Sequence, residues 1–179
     1  AHKRERKNHC CCRSNFPLQF TAKGKTAAVL ETQIGDVCYH LRTYSENGWT
    51  TESTFIEYLT GIRQHIGFDD KNVIHILLDV FRAHITDNVK KACINLNIKI
   101  HLIPAGMTDE LQPLDKKIFG PMKSYSRLLF RERMRGAEVS KNAQKRSKKD
   151  ACQDMVCAWE KLSSDTIQGA FEHFHDMSF

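Results

Sequence analysis

The chain has 179 residues, enough for one domain with a buried core. Hydrophobic residues make up 41% and aromatics 9%, as in a globular protein, and no apolar run approaches the ~20 residues of a membrane span. The formal charge is +6, and the seven cysteines include the adjacent Cys10, Cys11 and Cys12, which suits a reducing compartment rather than a disulfide framework.

Residues 1–15 are predicted to be a disordered, basic N-terminal arm. His2-Lys3-Arg4-Glu5-Arg6-Lys7 is basic, and no apolar region follows it as a signal peptide requires. The chain begins with Ala rather than Met, as a piece of a longer protein would. His9 with Cys10, Cys11 and Cys12 offers zinc ligands, but no second ligand pair stands at finger spacing, and a basic arm is the plainer reading.

Phe16–Phe20 reads as a strand and Lys23-Gly24-Lys25 as a turn, while 27–31 is short and ambiguous. Val37 to Thr43 has strand character, and Asn47-Gly48 turns the chain. Thr51 suits an N-cap. Phe55, Tyr58, Leu59, Ile62 and Ile66 follow at helical spacing, which predicts a helix over 52–66, ended by Gly67. Val73 to Leu78 is a short apolar run, as in a central strand. Thr86 caps a helix over 87–96, with Val89, Cys93 and Leu96 on one face. Ile98 to Ile103 is another strand, closed by Pro104.

A helix is predicted from about Pro113 to about Arg133, with Ile118, Met122, Tyr125 and Leu129 as its buried stripe. Residues 136–149 lack periodicity and read as a loop. Lys149 to Leu162 is helical around Val156 and Trp159. Ser163 or Ser164 caps a last helix with Ile167, Ala170, Phe171 and Phe174. The expected order is three strands, helix, strand, helix, strand and three helices, without internal repeats.

Two aspartates carry the chemistry. Asp79 ends the run Val73-Ile74-His75-Ile76-Leu77-Leu78, and Asp115 stands at the head of the helix from Pro113. The 35 residues between them fit one strand, one helix and a second strand. Carboxylates on a strand end and a following helix can converge on a divalent cation, because hard cations take charged oxygen ligands. The plainer readings are a strand-end aspartate bonding to the next loop and a first-turn acid favoured by the helix dipole. The charge is also uneven: Lys116 to Lys149 holds twelve Lys/Arg against Glu132 and Glu138, a net +10, leaving −4 elsewhere. Such a block is either a solvated face or a surface for a polyanion such as DNA.

Leu77-Leu78-Asp79, with His84 beyond it, resembles the second-aspartate motif of the DDE superfamily. Ile103-Pro104-Ala105-Gly106-Met107-Thr108 and Leu111-Gln112-Pro113-Leu114-Asp115 resemble its third-acid motif. The pattern is that of the pogo/Tigger/jerky-like transposases and the host proteins derived from them. Lys23-Gly24-Lys25-Thr26, Gly48-Trp49-Thr50-Thr51, Ala158-Trp159-Glu160, Thr166-Ile167 and Ala170-Phe171 also match, so the likeness runs from about Phe16 to Phe174.

The resemblance implies an α/β, RNase H-like fold over residues 16–179: a mixed sheet flanked by helices, with its first strand apparently missing. It implies that Asp79 and Asp115 are catalytic and hold Mg2+ or Mn2+ in the intact site, and that the protein acts on DNA in the nucleus. The first catalytic aspartate has no counterpart, since His9–Cys12 offers no acid and Asp36 precedes the wrong strand. Val80 replaces the asparagine that many relatives carry after the second aspartate.

His84 and Gln112 are candidate supports for the carboxylates, although each also suits a purely structural role, while Asp109 and Glu110 read as loop acids. Lys116, Lys117, Lys123, Arg127, Arg131 and Arg133 are candidate phosphate contacts, or else serve solubility. Trp49 and Trp159 read as core residues rather than base-stacking ones. Two functions remain open: a DDE endonuclease domain that cuts and joins DNA when intact, with homo-oligomerisation possible in the full-length protein, and an inactive, domesticated DNA-binding protein. An acid-bearing strand upstream would favour the first.

Overall fold

The computed structural model describes residues 16–37, 40–67, 72–104, 106, 112–135 and 146–171. The arm at 1–15, the His9–Cys12 cluster, Asp109, Glu110, most of the loop predicted over 136–149, and Phe174 lie outside the described residues. Among the described residues no helix is long and apolar enough to cross a membrane.

Strand β1 (Gln19–Lys23) pairs in parallel with β2 (Leu41–Ser45), Gln19 opposite Leu41 and Lys23 opposite Ser45. The strand expected over 16–20 starts late for two reasons. Pro17 has no ladder donor, and the Leu18 N–H donates to Nδ1 of His40 at 2.9 Å. Parallel neighbours need a crossover, and the ambiguous segment supplies it as helix α1 (Ala28–Gln33) rather than a strand. Its last turn closes on Leu30, whose carbonyl accepts from Ile34 and Gly35. Gly35, at φ +71°, supplies the left-handed exit. Ala22, Ile34 and Val37 make one core cluster.

Helix α2 (Glu52–Ile66) has the span that its periodicity predicts. The Thr51 hydroxyl accepts from the Thr54 N–H, and the Thr54 hydroxyl accepts from the Thr51 N–H at 2.9 Å, so two otherwise orphaned donors are satisfied. Gly67, at φ +90°, ends it. Strand β3 (Ile74–Leu78), helix α3 (Asp87–Asn95) and strand β4 (Ile98–Leu102) form the second crossover, with Ile74 opposite Ile98 and Leu78 opposite Leu102. Side chains alternate along a strand, so Ile74, Ile76, Leu78, Ile98 and Ile100 share the face that packs on Phe55 and Leu59 of α2 and Val89 and Cys93 of α3. Each side chain fully buried there stabilises by about 1.5–3 kcal/mol, and the partly buried ones by less.

Arg63 staples this half together from within. Fully buried, it donates from Nε to the Leu96 carbonyl (2.6 Å) and from Nη2 to the carbonyls of Asn97 (2.7 Å) and Asn72 (3.1 Å). The loop after α3 and the entry to β3 are thereby tied to α2 by charge-assisted bonds.

The α/β class holds, but the described strands form two two-stranded parallel sheets, β1–β2 and β3–β4, rather than one mixed sheet. The remaining chain is helical. A π-helical turn (Leu114–Ile118) runs into α4 (Phe119–Arg135). Then come α5 (Lys148–Glu160), capped by Ser147, and α6 (Ser164–Phe171), where the Ser163 hydroxyl accepts from the Thr166 N–H. Ile118, Met122, Ala158, Trp159, Leu162 and Ala170 are their common core, and Val156 of α5 joins the first cluster. Trp159 is core, as expected, with its indole N–H on the Phe16 carbonyl at 2.8 Å. Trp49, at 74% exposure, is not.

The buried stripe of α4 is Ile118, Met122 and Ser126, and Tyr125 faces outward. Ile118 and Met122 are the expected positions, and the stripe then steps by four to Ser126 rather than by three to Tyr125, both being spacings that a period of about 3.6 residues allows.

Candidate carboxylate site and basic helix

Asp79 sits where the β3 ladder ends. Its strand partner continues one step further, with the Ile103 N–H on the Leu78 carbonyl at 2.7 Å. The Asp79 carbonyl then accepts from Phe81 (3.0 Å), the Phe81 carbonyl accepts from His84 (2.9 Å), and the chain winds through a 3-10 turn at Arg82–His84. A carboxylate is thus delivered to the end of an apolar strand, where its side chain remains 49% exposed.

His84 stands beside it. Its Nδ1 lies 3.5 Å from Oδ1 of Asp79, at charge-contact rather than hydrogen-bond range. The imidazole is buried against Phe55 of α2 (centroids 4.4 Å apart) and meets Phe81 edge-on (5.2 Å). Among the described residues His84 is thus a packing element that also stands beside the Asp79 carboxylate.

Asp115 lies exposed in the first turn of the π-helical segment. Pro113 is buried just before it, and Gln112 is half-buried at the entry. Ile118, fully buried, anchors the turn in the helical core. A π turn beside a functional side chain re-aims it without breaking the helix, and the acid gains from the unpaired N–H groups of the helix start.

A divalent metal site needs several hard oxygen donors around one point. Asp79 and Asp115 are accessible carboxylates of the right chemistry. Among the described residues, however, no group of three His, Cys, Asp or Glu side chains gathers closely enough to hold an ion, so these two acids and His84 do not make such a cluster. The described residues therefore do not form a two-metal site by themselves.

The basic residues separate into two sets. Lys117 donates to the Gly169 carbonyl at 2.6 Å and fastens the π turn to α6. Arg133 is held by Asp154 and by Asp150 (3.0 Å), and Arg146 bonds to Asp154 (2.8 Å) and Ser126 (2.6 Å). These contacts close α4 onto α5, and the sequence gives no local signal for them because the partners lie far apart along the chain. Lys123, Arg127 and Arg131 are exposed on α4 at every fourth position, which places them on one ridge about 6 Å apart along the axis. Lys116 belongs to the π-helical turn directly after Asp115.

The DDE superfamily endonuclease family matches residues 13–171. The mouse (Mus musculus) protein "Pogo transposable element with KRAB domain" is 27% identical over 133 residues, covering 72% of this chain and 22% of that protein. The human (Homo sapiens) protein of the same name gives the same identity and coverage. The chain thus spans under a quarter of the length of these relatives. No solved structure matches it. A carboxylate at the end of the β3 run, another at the head of a basic helix, and a family match from one end of the described residues to the other agree: the chain belongs to the DDE superfamily endonuclease family, as a pogo-like, transposase-derived domain.

Proposed function

We propose that this domain engages the DNA backbone through α4 and presents Asp79 and Asp115 as two of the three carboxylates of a phosphodiester-cleaving site. In the intact site Asp79 and Asp115 would help to hold Mg2+ or Mn2+, which would supply activation of the attacking oxygen and stabilisation of the leaving one. The observation that carries the reading is the order along one continuous segment. An exposed acid, Asp115, is followed directly by Lys116 and then by the ridge of Lys123, Arg127 and Arg131. A DNA backbone laid along this segment would run from the ridge toward Asp115, about 12 Å along the axis from Lys123. Family membership supports the acid roles, and the nucleus is proposed as the location because the proposed substrate is DNA.

A second reading has its own support. The described residues contain no three-donor cluster, which favours a domain that engages DNA and needs further donors before it can cleave it. Both readings meet one experiment: purified chain with labelled duplex DNA and Mg2+ or Mn2+. Salt-sensitive binding with negligible cleavage fits a DNA-engaging domain that holds an incomplete site. Efficient metal-dependent cleavage abolished by Asp79→Ala contradicts the incompleteness, and absence of binding at low salt contradicts the DNA role.

A further inference from the structure

The β3–β4 sheet has a second face, opposite the one packed on α2 and α3. His75 and His101 lie on it, on adjacent strands, with Leu77 directly opposite His101. Nδ1 of His75 and Nε2 of His101 are 2.9 Å apart. Their ring planes lie within 8° of parallel and their centroids are 5.0 Å apart, so the rings meet edge to edge. His75 is exposed and His101 half-buried. The carboxylate chemistry does not use either ring. Nor do the acids of α5 compete for this role, since Asp150 and Asp154 are matched by Arg133 and Arg146.

We propose that His75 and His101 form a binding site for one divalent transition-metal ion of the Zn2+, Ni2+ or Cu2+ class, distinct from the Asp79 and Asp115 carboxylates. Imidazole nitrogens bind such ions at about 2.0–2.1 Å, so two neighbouring ligands on one ion stand about 2.9–3.4 Å apart. The pair is already at that separation. Tilting the rings about their Cβ–Cγ bonds turns both lone pairs toward one point outside the sheet, with no movement of the strands. The proton between the rings moves to an outer ring nitrogen, and water completes the coordination.

Both ligands must be neutral, and burial, His75 and Lys99 all lower the pKa of His101. Lys99, opposite His75 across the strands, opposes the incoming cation and keeps the affinity modest. Imidazole donors favour Cu2+ over Ni2+ and Zn2+, and leave Mg2+ to the carboxylates.

The test is a Ni2+ titration of the whole 15N-labelled chain, read by paramagnetic broadening of amide resonances. Broadening centred on residues 74–77 and 99–102, reversed by EDTA, is expected at sub-millimolar Ni2+. It should vanish in His75→Ala and in His101→Ala and persist in Asp79→Asn. His75 faces solvent, so the His75→Ala spectrum should otherwise match that of the wild type. Broadening that is absent from both strands at millimolar Ni2+, that survives His75→Ala in the folded protein, or that disappears with Asp79→Asn overturns the site.

Discussion

Nδ1 of His84 lies 3.5 Å from Oδ1 of Asp79, and the two side chains face opposite demands: His84 is 14% exposed and Asp79 is 49% exposed. The histidine fills space between Phe55 and Phe81, whereas the aspartate fills none. His84→Ala should therefore cost about 1–2 kcal/mol in urea unfolding through the lost packing. Asp79→Ala should change stability by less than about 0.5 kcal/mol, as a partly exposed charge contact does. An aspartate variant as destabilised as the histidine variant would make Asp79 a structural residue.

Asp154 is the most heavily matched buried acid, facing Arg133 and Arg146 at once. Removing it leaves two guanidinium groups without their shared partner beside a buried Ser126. Asp154→Ala should cost about 3 kcal/mol in chemical denaturation. Arg133→Ala should cost less, because Arg146 still neutralises the carboxylate. Equal and small losses in both would mean that the network contributes little to the closure of α4 on α5.

His40 makes stability depend on pH. Its burial, and then the charge of His65, lower its pKa from 6.5 to about 4, while Nδ1 accepts the Leu18 N–H. The unfolded chain takes up this proton near pH 6.5 and the folded chain only near 4. The contribution is complete above pH 6.5, declines as pH falls toward 4, and is flat below that. A tenfold change in proton affinity is about 1.4 kcal/mol, so the loss across this window should be about 3 kcal/mol. Urea midpoints measured across this window should fall with pH in the wild type and fall less steeply in His40→Asn. An unchanged slope in the variant would remove His40 as the cause.

Some of this was legible in the sequence because the signals are local. Thr51, the 52–66 periodicity and Gly67 mark α2 completely, and Leu77-Leu78-Asp79 and Gln112-Pro113-Leu114-Asp115 mark the candidate acids. Other features depend on distant partners. Helix α1 has six residues and no side-chain cap, too little for periodicity to register. Strand pairing is set by where the crossovers land, so the two parallel pairs do not show in either strand alone. Arg63 and Asp154 look like surface charges until Leu96, Asn97, Arg133 and Arg146 arrive around them. Tyr125 fits the helical stripe after Met122 as well as Ser126 does by spacing, and only the packing against α5 decides that Ser126 is buried and Tyr125 exposed.

DNA affinity should reside on the outward ridge of α4. Reversing Lys123, Arg127 and Arg131 to Glu should leave the fold intact, since all three are exposed beside the Ile118, Met122 and Ser126 stripe. Each lost phosphate contact removes about 0.9 from the slope of log K against log salt, so the triple variant should be flatter by about 2–3. Fluorescence anisotropy at several salt concentrations measures it. A slope unaffected by the reversal would make the ridge a solvated surface.

The most direct test of the central claim is whether Asp79 and Asp115 hold one ion between them. Mn2+ titrated into the labelled chain should broaden amide resonances at 78–81 and at 113–118 together, weakly, because two carboxylates leave most of the coordination to water. Asp79→Asn should abolish the broadening at both places, and so should Asp115→Asn, because a shared ion is lost with either ligand. Broadening at one carboxylate that persists when the other is neutralised would show two independent surface acids and contradict the shared site.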